Sequence, residues 1–233
     1  MNLSLFYASE LKSGANDFEL DEDTARHVVQ VLRMKAGDKI LLTNGQGLKA
    51  EAEIRSAEKK SCIVYITSEE YFPEQGNSIC IAISPLKNAA RFEWFLEKAA
   101  ELGITTIVPL ITRRTERQQY KAERWKTILV SAMQQSQQYW LTELTSPVTF
   151  EAFIRDASPS TKFIAHCLHN NKAELQTIPW KDQVRILIGP EGDFTPDEVQ
   201  LAISSGFKEV SLGSTRLRTE TAAITAAVLL THR

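Results

Sequence analysis

The chain of 233 residues carries a formal net charge of −2, with 43% hydrophobic and 24% charged residues. This composition is typical of a folded globular protein, and the charge balance argues against a positive field that coats nucleic acid over the whole surface. No apolar run approaches the roughly 20 residues of a membrane span, and the first residues lack a signal-peptide pattern, so we expect a cytoplasmic protein without a membrane partner.

The first seventy residues predict a β-rich unit with one helix. That helix is expected to run from an N-cap at Asp21 to about Arg33, with Gly37 as its end. Its packed side is predicted to contain Val28, Val31 and Leu32. Alternating runs at 39–43, 48–57 and 62–70 predict strands, and Asn44-Gly45-Gln46-Gly47 between the first two predicts a hairpin turn. A small five- or six-stranded barrel of the kind that holds RNA fits this pattern.

A boundary is predicted at 71–77, where Pro, Gly and Asn cluster and the alternating pattern stops. We therefore expect a small N-terminal domain over residues 1–72 and a larger domain over residues 73–233. Three cysteines, Cys62, Cys80 and Cys167, lie in apolar runs without CxxC spacing, which predicts buried, reduced thiols.

The second domain alternates between strand and helix patterns. Strands are predicted at 79–84, 104–110, 163–167, 185–189 and 208–212. Helices are predicted from an Asn88 cap to Gly103, at 123–139, from a Thr195 cap to Gly206, and from about 219 to His232. Thr195, Pro196 and Glu198 have the spacing of a capping box. This alternation indicates an α/β fold, with a parallel sheet flanked by helices on both sides.

Two loops stand where chemistry is expected, because ligands of open parallel sheets bind beyond the carboxyl ends of the strands. One is Gly189-Pro190-Glu191-Gly192-Asp193, and the other is the arginine- and hydroxyl-rich segment 212–222. Either loop alone has a simpler interpretation, as an ordinary turn or as capping chemistry for the last helix. Their expected position at the same end of neighbouring strands favours a ligand site.

Three residues at the end of a third strand could be taken for metal ligands, His166, Cys167 and His169. Their spacing matches no zinc site, so a cofactor contact by His166 and Cys167 is the preferred hypothesis and no metal is expected. The sequence has no GxxxxGK[ST] motif, no GxGxxG between strand and helix, and no GxSxG motif. These absences disfavour a P-loop site, a Rossmann site and a serine hydrolase.

A local basic patch runs from Thr112 to Lys126, with six basic residues against two acidic ones. It contains Arg113, Arg114, Arg117, Lys121, Arg124 and Lys126. The patch is either a solvated helix face with its preceding loop or a local nucleic-acid contact.

Five motifs in order resemble the RsmE family of 16S ribosomal RNA (uracil-N3)-methyltransferases, which belongs to the SPOUT superfamily. They are HVVQVLRMKAG at 27–37, EKAAELG at 97–103, Arg124-Trp125 with AMQQS at 132–136, IGPEG at 188–192, and the segment 212–222 that ends in LRTETA. The resemblance covers nearly the whole chain, and five ordered motifs are far more specific than one.

The resemblance implies a PUA-like N-terminal domain, a C-terminal trefoil-knot methyltransferase domain and a homodimer. It implies S-adenosylmethionine as the cofactor, and methylation of N3 of one uridine in the 16S rRNA of the small ribosomal subunit. Rival hypotheses are a SPOUT methyltransferase for another RNA, such as transfer RNA, and a non-catalytic ribosome-binding paralogue. The residues implied in cofactor binding are Ile188, Gly189, Pro190, Glu191, Gly192, Leu212, Gly213, Leu217, Arg218 and Thr221.

The chain departs from the family pattern at three places. Asp193 replaces a common glycine, Gln138 stands where an arginine is frequent, and the first strand lacks arginine.

Methyl transfer to uracil N3 requires loss of the N3 proton, which a nearby guanidinium favours. Arg114 or Arg218 is the candidate for this role, and Glu220 either accepts the proton or orients an arginine; Glu101 is the next acidic candidate. RNA contacts are expected from His27, Arg33, Lys35, Lys87, Arg113, Arg114 and Arg124. The segment 222–230 is apolar nearly all round, which predicts burial in the core or against a second subunit.

Overall fold

The computed structural model describes residues 3–74, 76–116, 119–157, 160–168 and 172–232. The chain forms two compact units, one built from the residues up to Glu74 with Met133–Leu141, and the other from the remaining residues. Within the described residues, no helix combines the length and apolar character needed to cross a bilayer.

The first unit contains a five-stranded sheet in the order β1-β3-β4-β5-β2. Its strands are β1 Leu5–Tyr7, β2 Asp17–Glu19, β3 Lys39–Thr43, β4 Leu48–Ala57 and β5 Cys62–Tyr71. Strand β1 is parallel to β3, and the other pairs are antiparallel. The predicted hairpin between β3 and β4 is confirmed, and alternate residues such as Ile40, Leu42 and Ala50 are buried, which places one face of the sheet on the core.

The helix of this unit begins as predicted but ends earlier. Asp21 accepts the N–H groups of Asp23 and Thr24 at 3.1 and 3.0 Å, and helix α1, Glu22–Arg26, continues into a π turn over His27–Val31. The helix therefore stops before Arg33, and Gly37 lies in the turn that precedes β3. The predicted packed side is also wrong in part. Val28 is buried, but Val31 and Leu32 are 64% and 42% exposed, because the wider π turn rotates them away from the core.

Residues 139–141 join the first unit through the predicted hairpin turn. The Gly47 N–H donates to Tyr139 O at 2.8 Å, and the Leu141 N–H donates to Gly45 O at 2.9 Å. Gly47 has φ +89°, and a β-carbon there would lie 2.4 Å from Phe72 O. This position therefore requires glycine both for its conformation and for its close packing.

The second unit contains an eight-stranded sheet whose main path is β11-β13-β10-β12-β6-β7-β8, with β9 paired to β7. The strands are β6 Ser78–Ile83, β7 Thr106–Ile111, β8 Glu143–Leu144, β9 Val148–Thr149, β10 Thr161–Ala165, β11 Ala173–Glu174, β12 Gln183–Ile188 and β13 Lys208–Ser211. Every pair is parallel, which confirms the predicted parallel sheet.

Five α-helices and a short 3₁₀ turn, Leu175–Thr177, accompany this sheet within the described residues. The helices are α2 Ala89–Glu101, α3 Ala122–Gln135, α4 Phe150–Ile154, α5 Pro196–Ser204 and α6 Thr219–Thr231. Both predicted caps are confirmed. Asn88 accepts the Ala90 N–H at 3.0 Å, and Thr195 and Glu198 form the reciprocal capping box.

The helices are placed so that the sheet is covered on both faces. Helices α4 and α5 share a buried cluster with alternate strand residues, including Cys80, Ala82 and Leu187. Helix α6 packs on β6 and β12, and α2 packs on α6. The apolar side of α6 is buried through Ala223, Ala226, Ala227 and Leu230, whereas Val228 is 40% exposed.

Several predicted boundaries are wrong, and strands β10 and β12 begin two residues before their predicted starts at 163 and 185. Strand β7 starts at Thr106 and not at 104, and helix α3 ends at Gln135 and not at 139, since Gln137 takes a left-handed conformation with φ +57°. Strand β10 ends at Ala165, so Cys167 lies in the loop beyond it and is exposed, contrary to the predicted buried thiol. Cys62 and Cys80 are buried as predicted.

Candidate functional site

The strand order brings the predicted ligand loops together. Strand β10 lies between β12 and β13, and all three run parallel, so the segments after Ala165, Ile188 and Ser211 meet at one edge of the sheet. A cavity of about 1140 Å³ opens between them. It is lined by residues 165–168 and 172, by 188–191 and 193, by 210–219 and 222, and by Arg91 of α2.

Most of the predicted cofactor residues line this cavity. They are His166, Cys167, Ile188, Gly189, Pro190, Glu191, Leu212, Gly213, Leu217 and Arg218. Gly192 and Thr221, which were also predicted, are exposed beside it and do not form part of its lining. Cofactor binding stays a prediction both for the residues that line the cavity and for Gly192 and Thr221.

Asp193 ties two of the loops together. Its Oδ2 accepts the Cys167 N–H at 2.7 Å, and its Oδ1 accepts the Phe194 N–H at 2.8 Å. The residue has φ +62°, a left-handed conformation that glycine adopts without strain and aspartate tolerates better than most residues. The substitution of a common family glycine is thus compatible with the local backbone, and it adds a carboxylate to the cavity wall.

His166 is held in one tautomer at the base of the loop. Its Nδ1 accepts the Leu168 N–H at 3.2 Å, so Nε2 carries the proton that is donated to Glu209 Oε1, 2.8 Å away. Burial, with Lys172 nearby, lowers the pKa of His166 below its usual value, and Glu209 opposes this shift. Lys172 donates to the His166 carbonyl oxygen, and burial lowers the pKa of this lysine as well. The imidazole is therefore neutral and fully buried, and it holds in place the loop that lines the cavity.

Glu220 lies in the first turn of α6 and is only 8% exposed. Its Oε1 lies 3.5 Å from Nε of Arg91, which lines the cavity from helix α2. Of the two predicted roles for Glu220, the contact favours orientation of an arginine, although the partner is Arg91 and not a predicted residue. The sequence analysis missed Arg91, although its place in the first turn of a helix that follows the carboxyl end of a strand could have indicated it.

Arg114 contacts the glycine-rich loop directly. Its Nη1 donates to Gly192 O at 2.6 Å, and its aliphatic chain lies against the Cα of Gly192, where a β-carbon would be 3.4 Å from Arg114 Cδ. Lys87 approaches the same loop, since its N–H donates to Glu191 Oε1 at 3.1 Å. Arg218, the N-cap residue of α6, is exposed at the cavity. Arg114 and Arg218 thus both adjoin the cavity loops, whereas Glu101 does not line the cavity.

The basic patch is partly neutralised by ion pairs. Arg113 bonds Asp197 at 2.9 Å, and Arg124 makes a bidentate pair with Glu93 at 2.5 and 2.6 Å, which raises the pKa of this arginine. The Lys87 ammonium lies 3.0 Å from Glu116. Arg117 lies outside the described residues, and so does His169, the third residue that was considered as a metal ligand. The assignment of the patch to RNA binding stays a prediction.

The predicted RNA contacts of the first unit, His27, Arg33 and Lys35, are all exposed. His27 makes an edge contact with the ring of Phe6, at 6.1 Å between centroids. Across the part of the chain that the structure describes, no group of three or more His, Cys, Asp or Glu side chains is arranged to hold a metal ion.

Comparison with known proteins identifies the family. Residues 73–231 match the family described as an RNA methyltransferase domain, and residues 20–66 match an RNA methyltransferase PUA domain. The ribosomal RNA small subunit methyltransferase E of Synechocystis is 33% identical over 204 residues, which are 84% of this chain and 66% of that protein.

Two solved structures are similar over nearly the whole chain. A probable rRNA-methyltransferase from Porphyromonas gingivalis superimposes with a TM-score of 0.91 at 37% identity, with 98% and 97% of the two chains covered. A ribosomal RNA small subunit methyltransferase E from Neisseria gonorrhoeae, bound to S-adenosyl methionine, has a TM-score of 0.88 at 30% identity, with 98% and 97% covered. These similarities confirm the predicted family, enzyme class and cofactor. The chain belongs to the RNA methyltransferase family that includes the ribosomal RNA small subunit methyltransferase E proteins.

Proposed function

We propose that this protein transfers a methyl group from S-adenosylmethionine to N3 of one uridine in the 16S rRNA of the small ribosomal subunit. The observation that carries the proposal is the cavity where the loops after β10, β12 and β13 meet. The name of the relatives, ribosomal RNA small subunit methyltransferase E, supports the substrate.

The residues present fit the cofactor. Ile188, Pro190, Leu212 and Leu217 offer apolar surface for an adenine ring, and glycines leave main-chain groups accessible. Gly189 is constrained by packing, because a β-carbon there would lie 3.2 Å from the Phe194 ring and from its backbone nitrogen. The carboxylates of Glu191 and Asp193 and the guanidinium of Arg218 lie around the same cavity, which suits a ligand with charges of both signs.

Bound S-adenosylmethionine supplies an electrophilic methyl group on a sulfonium sulfur. The protein must therefore position uracil N3 in line with that methyl and favour loss of the N3 proton. We assign to Arg114 or Arg218 the stabilisation of the anionic ring through its carbonyl oxygens. Glu220 then acts as a positioning residue through Arg91, 3.5 Å away, and the N3 proton leaves to solvent or to a base still unassigned.

The domain and fold details implied by the resemblance belong to the same proposal. We propose a PUA-like barrel over residues 1–72 and a knotted methyltransferase domain over residues 73–233, with the trefoil knot formed around the cavity loops. The adjacency of β13, β10 and β12 supports the knot, and the five-stranded sheet around a buried core supports the barrel.

We further propose a homodimer that works in the cytoplasm on the small subunit. Trp94 of α2 and Val228 of α6 are 45% and 40% exposed, and these two helices pack against each other. Large apolar side chains on adjacent exposed helices are typical of a subunit interface. RNA contacts are assigned to His27, Arg33 and Lys35 in the first domain, and to Lys87, Arg113, Arg114 and Arg124 in the second.

The test is transfer of labelled methyl groups from S-adenosylmethionine to small subunits that lack this modification, with the methylated nucleoside identified as 3-methyluridine. Replacing Arg114 or Arg218 with alanine is expected to lower kcat by about 100-fold and to move the pH–rate profile towards higher pH for whichever residue stabilises the anion. Arg155, exposed at the end of α4, provides the matched arginine-to-alanine control. Unchanged pH–rate profiles in both variants contradict the electrostatic role, and a different methylated nucleoside contradicts the proposed substrate atom.

A further inference from the structure

Three irregular features coincide between His27 and Met34. The helix widens into a π turn over His27–Val31, two large aliphatic side chains are exposed, and Arg33 has φ +56°. Isolated π turns and left-handed non-glycine residues are uncommon, and both are concentrated at functional sites.

The backbone explains why the aliphatic pair points outward. The Leu32 N–H donates to His27 O at 3.0 Å, and the Met34 N–H donates to Val28 O at 3.1 Å. Val28 is fully buried and Met34 packs against the same core, so the core holds both ends of the segment between them. Val31 and Leu32, within this segment, remain 64% and 42% exposed.

Arg33 occupies a conformation for which glycine is the usual residue, because a β-carbon clashes with the neighbouring carbonyl there. The residue is exposed, and it makes no ion pair with any part of the chain that the structure describes. A strained arginine that makes no ion pair among the described residues favours a role for its guanidinium in binding an external ligand.

The charged side chains within this segment are basic and suit a polyanion, whereas acidic residues flank it: Asp38 accepts the Lys35 N–H at 2.7 Å, and Glu22 pairs with Arg26 and Lys60. No acidic residue occurs from Thr24 to Gly37, and within the described residues Lys35, like Arg33, has no ion pair. The Gln30 side chain donates to Lys59 O at 2.9 Å, which fixes a lysine-containing turn beside the helix. Cations around exposed aliphatic side chains match single-stranded RNA, which presents phosphates beside the apolar faces of unstacked bases.

We propose that Val31 and Leu32 pack against unstacked bases of ribosomal RNA while Arg33 and Lys35 contact the flanking phosphates. This inference rests on the proposed function, since it takes ribosomal RNA as the substrate. It assigns to the first unit an apolar contact with bases in addition to a charge contact with the backbone.

The test compares the full chain with a Val31→Ser/Leu32→Ser double variant and an Arg33→Gly variant. Binding to unmodified small subunits is measured over a range of salt concentrations, together with binding of S-adenosylmethionine and methyl transfer. Leu201→Ser is the matched control, because Leu201 is 42% exposed on α5, in the other unit.

The double variant is expected to bind subunits about tenfold more weakly with an unchanged salt dependence, since apolar contacts release no counterions. Arg33→Gly is expected to lower by about 1 the slope of the logarithm of the binding constant against the logarithm of salt concentration, because one phosphate contact is lost. The same variant is expected to unfold at a higher denaturant concentration, because glycine relieves the left-handed strain. Leu201→Ser and cofactor binding are expected to match the unaltered protein.

Normal subunit binding and methylation by the double variant overturn the inference and leave the proposed function intact. A double variant that changes from dimer to monomer in sedimentation also overturns it, and assigns the aliphatic pair to a contact between two copies. Absence of transfer by the unaltered protein to 16S rRNA, despite cofactor binding, rejects the proposed function together with this inference.

Discussion

The pair formed by Arg91 and Glu220 makes a quantitative prediction about the cavity wall. At 3.5 Å and an effective dielectric constant of about 20, the Coulomb attraction is about 5 kcal/mol before the costs of desolvation and side-chain ordering. The Arg91 side chain is 40% exposed and that of Glu220 only 10%, so these costs and solvent screening leave a net coupling of about 1–2 kcal/mol.

The two single substitutions are expected to differ. Arg91→Met leaves a buried carboxylate without this partner and costs about 2–3 kcal/mol, whereas Glu220→Gln leaves a guanidinium that water can still reach and costs about 1 kcal/mol. Urea unfolding of the unaltered protein, both single variants and the double variant gives the coupling from a double-mutant cycle. A coupling below about 0.3 kcal/mol refutes the pair, as does a larger loss from Glu220→Gln than from Arg91→Met.

Three further predictions concern the loops of the cavity. Asp193→Gly relieves the strain of φ +62° but removes the acceptor of the Cys167 N–H. We therefore expect the Cys167 amide to exchange with deuterium at least about tenfold faster in this variant. Unchanged exchange contradicts the hydrogen bond between Asp193 and Cys167. Among the thiols, Cys167 is exposed, whereas Cys62 and Cys80 are buried and burial raises the pKa of Cys80 to about 12. We therefore expect rapid alkylation at Cys167 alone, and we expect S-adenosylmethionine to slow it. Alkylation that the cofactor does not slow argues against cofactor binding at this loop. Burial lowers the pKa of His166, so its neutral form contributes stability that is fully present above the usual pKa near 6.5 and is lost as the pH falls below it. The free energy of unfolding of the unaltered protein in urea should therefore exceed that of His166→Asn by less at pH 5.5 than at pH 7.5. A difference that stays constant between these pH values contradicts the lowered pKa.

Local signals in the sequence were sufficient for much of the fold. The capping box of α5 needs only Thr195 and Glu198, three residues apart, and the structure contains both reciprocal bonds. The apolar strands that alternate with helices fixed the parallel sheet in the same way, since buried parallel strands have continuous apolar runs. The parallel sheet in turn predicted where the loops that line the cavity lie, because the carboxyl ends of parallel strands meet at one edge.

Features that depend on distant contacts or on backbone detail were missed. Arg91 and Glu220 are far apart in the sequence and meet only because α2 packs on α6. The π turn that exposes Val31 has no signal in the apolar pattern, since regular helical spacing would place that side chain on the packed side. The short elements β8, β9 and α4 carry too few residues for either period to be recognised.

Methylation of uridine N3 can be detected by mapping reverse-transcription stops on 16S rRNA, because an N3-methyl group on uridine blocks base pairing. Unmodified small subunits are incubated with the protein and S-adenosylmethionine, and the stops are compared with those from a reaction without the cofactor. One new stop at a single uridine is expected, and it should be weaker in the Arg114 or Arg218 variant that lowers methyl transfer. Bound cofactor without any new stop in 16S rRNA contradicts the proposed methylation.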